Sequence, residues 1–388
     1  MTPEQARRSF PITETRAYLF SGGLAPAATS VRAAQDRWTA AWMDDPAAPY
    51  ADYKGEWELA RQRFAALIGA DPEEVAIVDH TSRGSNLVVQ MLPGLELSNV
   101  VVDEFTYPSS IYPWLLASKA NVELRQVLAR DNVVSLGDIA RAVDDRTIAV
   151  SISHVSPKSG FRHDLAAVAN LAHTHGAFLI VDAAQSAGVL NLDVRRDDVD
   201  FLTTCAMKWL LGAPGVGFLY VRRELVDQFE PPQVGYAGVV RGSGAAVDDP
   251  LEFRPGARRL EQGMPNLAGV AASRAGLDLL LEVGIERIES HVLDLSGQCV
   301  DGLLSRDLRL YTRPDPALRA GVVALPIVRG QRLVSFLRDR AVDVWTDPGG
   351  VLLRIDPHVF NDASDLAKFF AGLDEFRRQF GPDCLQVP

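Results

Sequence analysis

Residues 177–188 read AFLIVDAAQSAG: five apolar residues that end on an acid and give way to small ones. An apolar run of that length, entered from a glycine, is the pattern of a strand buried on both faces, as in a parallel sheet. Asp182 closes the run, and the carboxyl edge of an open parallel sheet is where such folds collect ligands. A carboxylate buried there is destabilising unless charge or hydrogen bonds oppose it.

The pattern repeats on either side. The runs VAIVD, NVVVD, NVELRQVL, TIAVSISHV, VDFLTTC and GVGFLYV alternate with helical spacing, of which HDLAAVANLAHTHG, closing on Gly176, is the clearest case. Together with AFLIVD they predict a mostly parallel, seven-stranded sheet flanked by helices. After EQGMPN the texture changes. Residues 267–304 are helical in pattern and broken at Gly284, GVVALPIV and VLLRID read as strands, and DASDLAKFFAGLDEFRRQF reads as a closing helix capped by Asp362 or Ser364. The expected organisation is a large domain over residues 46–266 and a smaller α+β domain over 267–388. Residues 1–45 are expected to serve the small domain and the mouth of the site.

Lys208 stands at the end of the strand-like run after Asp182, in TTCAMKWLLGAPGVGFLYV. By itself it reads as a snorkelling lysine, its stem buried and its ammonium in water. With Asp182 at the neighbouring strand end, the two converge on one crevice, and GAPGVG lets backbone come close. An ordinary ion pair would use the same two residues. So would pyridoxal phosphate, which needs a lysine amine for a Schiff base and a carboxylate to keep its ring nitrogen protonated.

Totals narrow the field. The 388 residues carry 50 acidic and 39 basic side chains, a net charge of −11, with no basic stripe to track phosphates, so nucleic acid is not an expected partner. No apolar run reaches membrane-spanning length and the first residues lack a secretory signal pattern, so a cytoplasmic protein with no membrane partner is expected. Cys205, Cys299 and Cys384 are too widely spaced for a zinc site and too few for a disulfide framework, and no metal is expected.

VDAAQSAG followed by KWLLGAPGVG resembles the class V aminotransferases of PLP fold type I, a family that includes cysteine desulfurases, kynureninases and isopenicillin N epimerase-like enzymes; the resemblance covers nearly the whole chain. It implies pyridoxal 5'-phosphate as cofactor, held by Lys208 through the Schiff base, by Asp182 at the pyridinium and by Gln185 at the ring hydroxyl. HTSRGSNLVVQ resembles the family's phosphate turn at a helix N-terminus, which implies Thr81, Gly84 and Ser85 as phosphate contacts. DEFTYPSSIYPW implies Tyr107 as the residue stacked on the ring, with Trp114 left to packing. GGVLLRIDPHVFNDASDL implies Arg354 as the clamp on an α-amino acid's carboxylate. RRLEQGMPN resembles a segment that reaches into the neighbouring subunit's site, which implies a homodimer with Gly263 and Met264 contributed across it.

The chain also departs from the family. Met264 replaces a usual Thr, Cys205 and Met207 replace a frequent Ser and His, and Pro157 stands where Asn is common. The loss of that histidine leaves Lys208 to carry protons, with His154 and His163 as spare candidates better suited to loop or helix-cap roles. AVDVWTDPGGVLLR lacks the cysteine that desulfurases place before the arginine, which argues against a persulfide relay. The resemblance implies a side-chain lyase such as a C–S lyase, with a transaminase or epimerase as alternatives and a non-catalytic PLP-fold binding protein as a remote one. Gln233–Pro250, Gly-rich, reads as a loop over the site, with Tyr236 as a substrate contact.

Overall fold

The computed structural model describes the chain except residues 93, 94, 96, 241–250, 382, 383, 387 and 388, and except the side chains of residues 48–53 and 120. Seven strands form one sheet among the described residues, in the order Val75–Val78, Gly217–Val221, Phe201–Cys205, Phe178–Asp182, Thr147–Ser153, Asn99–Asp103, Glu123–Val127. Each of the seven apolar runs supplies one of them. Gly217–Val221 runs antiparallel to both of its neighbours, Val75–Val78 and Phe201–Cys205, and against the common direction of the other six strands. The carboxyl ends of the other six strands therefore share one edge. Six of the strands are buried almost throughout; the edge strand Glu123–Val127 exposes Glu123 and pairs it with Arg125.

Helices cover both faces because their apolar stripes match the buried strands. Leu165–Thr174 buries Leu165, Val168, Ala169 and Ala172, starts at the Asp164 cap and stops before Gly176, whose φ of 71° is a left-handed turn. Phe64, on the helix Ala47–Leu67, stacks on Phe218 of the sheet at 4.3 Å. Leu267–Val283 packs on that helix and on Thr29–Asp44, and its Val270, Leu277 and Leu280 belong to the same apolar cluster as the sheet. The large core thus continues beyond residue 266 and past the break at Gly284, whose φ is 90°, to take in Ile288, Val292, Val322 and Phe360.

A three-stranded antiparallel sheet, Trp345–Thr346, Leu352–Ile355 and Val323–Pro326, has its own core with Ile285–Leu304, Gly330–Arg338 and Ala363–Phe380. Asp362 caps the last helix, its carboxylate accepting from the Ser364 amide; Ser364 lies inside the helix. The amino-terminal segment is stitched to this part of the chain: Ala17–Tyr18 pairs with Val342–Asp343, and Phe20 bridges to Asp356. No described helix is long and apolar enough to cross a membrane.

His358 ties the two sheets together. It is fully buried, its Nδ1 accepts from the Val359 amide at 2.7 Å, and its Nε2 donates to the Trp209 carbonyl at 3.0 Å. Burial lowers its pKa from 6.5 to about 4. The unfolded chain therefore binds a proton here more readily than the native one between those values. The stability contributed by the neutral ring is present above about pH 6.5 and lost as the pH falls towards 4, on the order of 3 kcal/mol. Urea midpoints measured over that range are expected to fall with pH, and His358→Gln, which cannot titrate, to flatten the slope.

Candidate active site

At the shared carboxyl edge lies a cavity of about 790 Å³, bounded by loops of the large sheet, by the strand carrying Arg354 and by the amino-terminal turn. Thr81, Tyr107, Asp182, Gln185, Lys208 and Arg354 line it. Topology alone brings Asp182 and Lys208 there. Asp182 is in register with Thr203 of the parallel neighbour strand, and Lys208 follows that strand's end at Cys205.

Asp182 is buried; its Oδ2 accepts from Ser110 Oγ at 3.0 Å and its Oδ1 from the Ala184 amide at 2.9 Å. Burial pushes its carboxyl above the usual range, against the Ala184 amide, the Lys208 charge and Ser110. Lys208 makes no ion pair among the described residues, and its ammonium stands 5.4 Å from the Tyr107 ring centroid. The two charges share a cavity without closing on each other. Lys208 is also held from behind, because Trp209 is fully buried and donates from Nε1 to Gln185 Oε1 at 2.8 Å.

Gln185 in turn donates from Nε2 to the Gly22 carbonyl at 3.0 Å. Gly22 is needed at this point, since a Cβ there would collide with Arg354 Nη2 and Asp356 Oδ2. Arg354 is buried and bonded to Asp356, Nη2 to Oδ2 at 2.5 Å and Nε to Oδ1 at 3.4 Å. Neither Gly22 nor Asp356 was expected at the site. A signal existed for both: the pair Gly22–Gly23 in FSGGLAP marks a close backbone approach, and residues two apart on an extended chain share a face.

The helix Thr81–Met91 points its amino end at the cavity, capped by His80 Nδ1, which accepts from the Arg83 amide at 3.0 Å. The Thr81 and Ser82 amides, the first two of the helix, precede the first of its backbone bonds and lack intrahelical acceptors, which suits an anion. Thr81 faces the cavity and so do His80 and Ser82, which the sequence reading missed. Gly84 and Ser85 are placed one turn further on. Gly84 packs against Thr203, and the buried Ser85 hydroxyl lies near Ser110 and Thr203.

Other residues fall elsewhere. Cys205, Met207 and Pro157 line the cavity, and burial raises the Cys205 thiol. His154 and His163 do not reach it: His163 Nε2 is 2.6 Å from Asp103 Oδ2, and burial holds His154 well below its usual pKa. Neither caps the next helix, a role taken by Asp164. Trp114 is core, as expected. Tyr236 is exposed beside Gly263, and Gly263 and Met264 border a separate cavity of about 420 Å³. The remainder of the expected loop, residues 241–250, lies outside the described residues.

Residues 33–350 match the family model described as Aminotransferase class-V. The chain is 31% identical over 373 residues to the uncharacterized aminotransferase YcbU of Bacillus subtilis, covering 94% of this chain and 95% of that one. It is 30% identical over 310 residues to a probable cysteine desulfurase of Methanothermobacter thermautotrophicus, covering 76% and 74%. In three dimensions it is similar to the apo structure of a cysteine desulfurase from Thermococcus onnurineus, with a TM-score of 0.87, 25% identity and coverage of 98% and 99%.

Proposed function

Because the chain belongs to the aminotransferase class-V family, we propose that it is a pyridoxal-phosphate-dependent side-chain lyase that breaks the carbon–sulfur bond of a cysteine-type amino acid. The observation that carries this reading is the pair Asp182 and Lys208, which share one cavity without an ion pair between them. The residues suit the cofactor. Asp182 is desolvated and lacks a cation in contact, which a protonated ring nitrogen would supply; Lys208 is the amine free to hold the carbonyl carbon; Tyr107 offers a ring face; and the end of helix Thr81–Met91 offers amides to a phosphate.

When bound, the cofactor supplies an electron sink for negative charge developing at the substrate's Cα. The chain's own residues do the rest. Arg354 receives the α-carboxylate. Lys208 Nζ takes the Cα proton, and the sulfur substituent departs from Cβ with its electron pair as a thiol. Water then converts the released unsaturated amine into pyruvate and ammonia. The turn between Trp345–Thr346 and Leu352–Ile355, residues 347–351, carries no cysteine, so sulfur leaves as the free thiol rather than as a protein persulfide.

Incubation of the purified protein with cysteine S-conjugates is expected to release thiol, pyruvate and ammonia in equal amounts. Transamination, favoured by the likeness to YcbU, would instead convert the substrate to its keto acid and leave the cofactor as the amine. No pyruvate from any conjugate, with that amine form accumulating, would overturn the lyase reading. We further propose a homodimer, supported by the exposed side chains of Met264, in the segment that the family resemblance assigns to the subunit contact, and of Tyr236 beside Gly263.

A further inference from the structure

The one arginine proposed to bind substrate is already occupied. Arg354 presents the side formed by Nε and Nη2 to Asp356, which is wholly buried. The arrangement is fixed from three directions. Burial raises the Asp356 carboxyl, and the charge and hydrogen bond of Arg354 and the Gly22 backbone oppose that rise; Gly22 has no room for a side chain, and the Phe20–Asp356 bridge holds the amino-terminal turn against the strand. Phe20 lies parallel to Trp345 at 6.0 Å, and the Arg354 guanidinium sits 5.4 Å from that indole, so the plane of the arginine is set as well. Among the described residues Arg354 makes no other hydrogen bond or ion pair, and it lines the cavity, so the end bearing Nη1 is what remains for a ligand.

We propose that Asp356 is a specificity-determining residue: it commits one side of Arg354 and neutralises it, so that a substrate carboxylate meets the Nη1 end of an uncharged pair in a single orientation and binds weakly. This rests on the reading of Arg354 as the carboxylate site. An anion facing a buried ion pair interacts with a dipole rather than with a net positive charge, and the nearby carboxylate repels it. Specificity then comes from geometry more than from attraction.

The test uses propionate, a carboxylate without the reacting groups, titrated calorimetrically into the holoenzyme. Asp356→Asn, nearly isosteric and uncharged, is expected to bind propionate about tenfold more tightly, with KM for the amino acid falling in parallel. Propionamide, which carries no charge, is expected to bind the two proteins alike. Asp356→Ser serves as a second neutral variant should the first fold poorly. Unchanged or weaker propionate binding in both variants overturns the proposal. The visible band of bound cofactor separates this from the enzyme reading. If that band is missing from all three proteins the cofactor assignment fails, while the propionate comparison still decides the role of Asp356.

Discussion

Lys208→Ala is expected to lose the visible absorption band of bound pyridoxal phosphate and to lower turnover at least ~10³-fold, since a proton-carrying side chain alone supplies about 10²–10⁴-fold. The variant is expected to melt with the wild type. Lys208 is only partly buried and makes no ion pair among the described residues, so little of the fold rests on it. Lys208→Arg sharpens the test. Arginine keeps a cation beside the Tyr107 ring but has no amine able to lose its proton and attack a carbonyl. If the lysine were merely a snorkelling charge, the arginine variant would keep its activity. Under the reading given above it is as inactive as the alanine one, and reduction followed by mass spectrometry finds cofactor attached to residue 208 only in the wild type.

Asp182→Asn is expected to separate activity from stability. Among the described residues that line the cavity Asp182 is the one buried carboxylate, bonded to Ser110 and Ala184, and replacing it with an amide removes the charge that would keep a ring nitrogen protonated. Loss of a preorganised electrostatic partner of this kind costs about 10²–10³-fold in kcat. The fold should gain, because burial raises the Asp182 carboxyl and a neutral amide of the same shape avoids that desolvation. A kcat within tenfold of wild type would sink the assignment. So would a large drop in melting temperature, which would mark Asp182 as a structural acid.

Much of this site was readable along the chain. Asp182, Lys208, Thr81 and Tyr107 each follow an apolar run that became a strand of the one sheet, and strands of common direction deliver their next residues to a common edge. Gly84 and Ser85 show the limit of motif matching. They lie on the helix whose amino end meets the cavity, but its 3.6-residue turn carries them past the cavity into contact with Thr203, and His80 and Ser82 face it instead. The pair Gly22–Gly23 marks a close backbone approach, but that its partner is Gln185, some 160 residues on, is given only by the hydrogen bond that joins them.

The succession of strands along the chain, the helices between them and the carboxylate–amine pair at the strand ends follow from the sequence, because apolar period, glycine stops and chain direction are local properties. What tertiary structure alone decided is the electrical state of that pair and of the arginine. Asp182 and Lys208 stand apart rather than bonded, and Arg354 is closed on Asp356 beneath Gly22. Charge depends on distance and burial, and both are set by which distant segments meet.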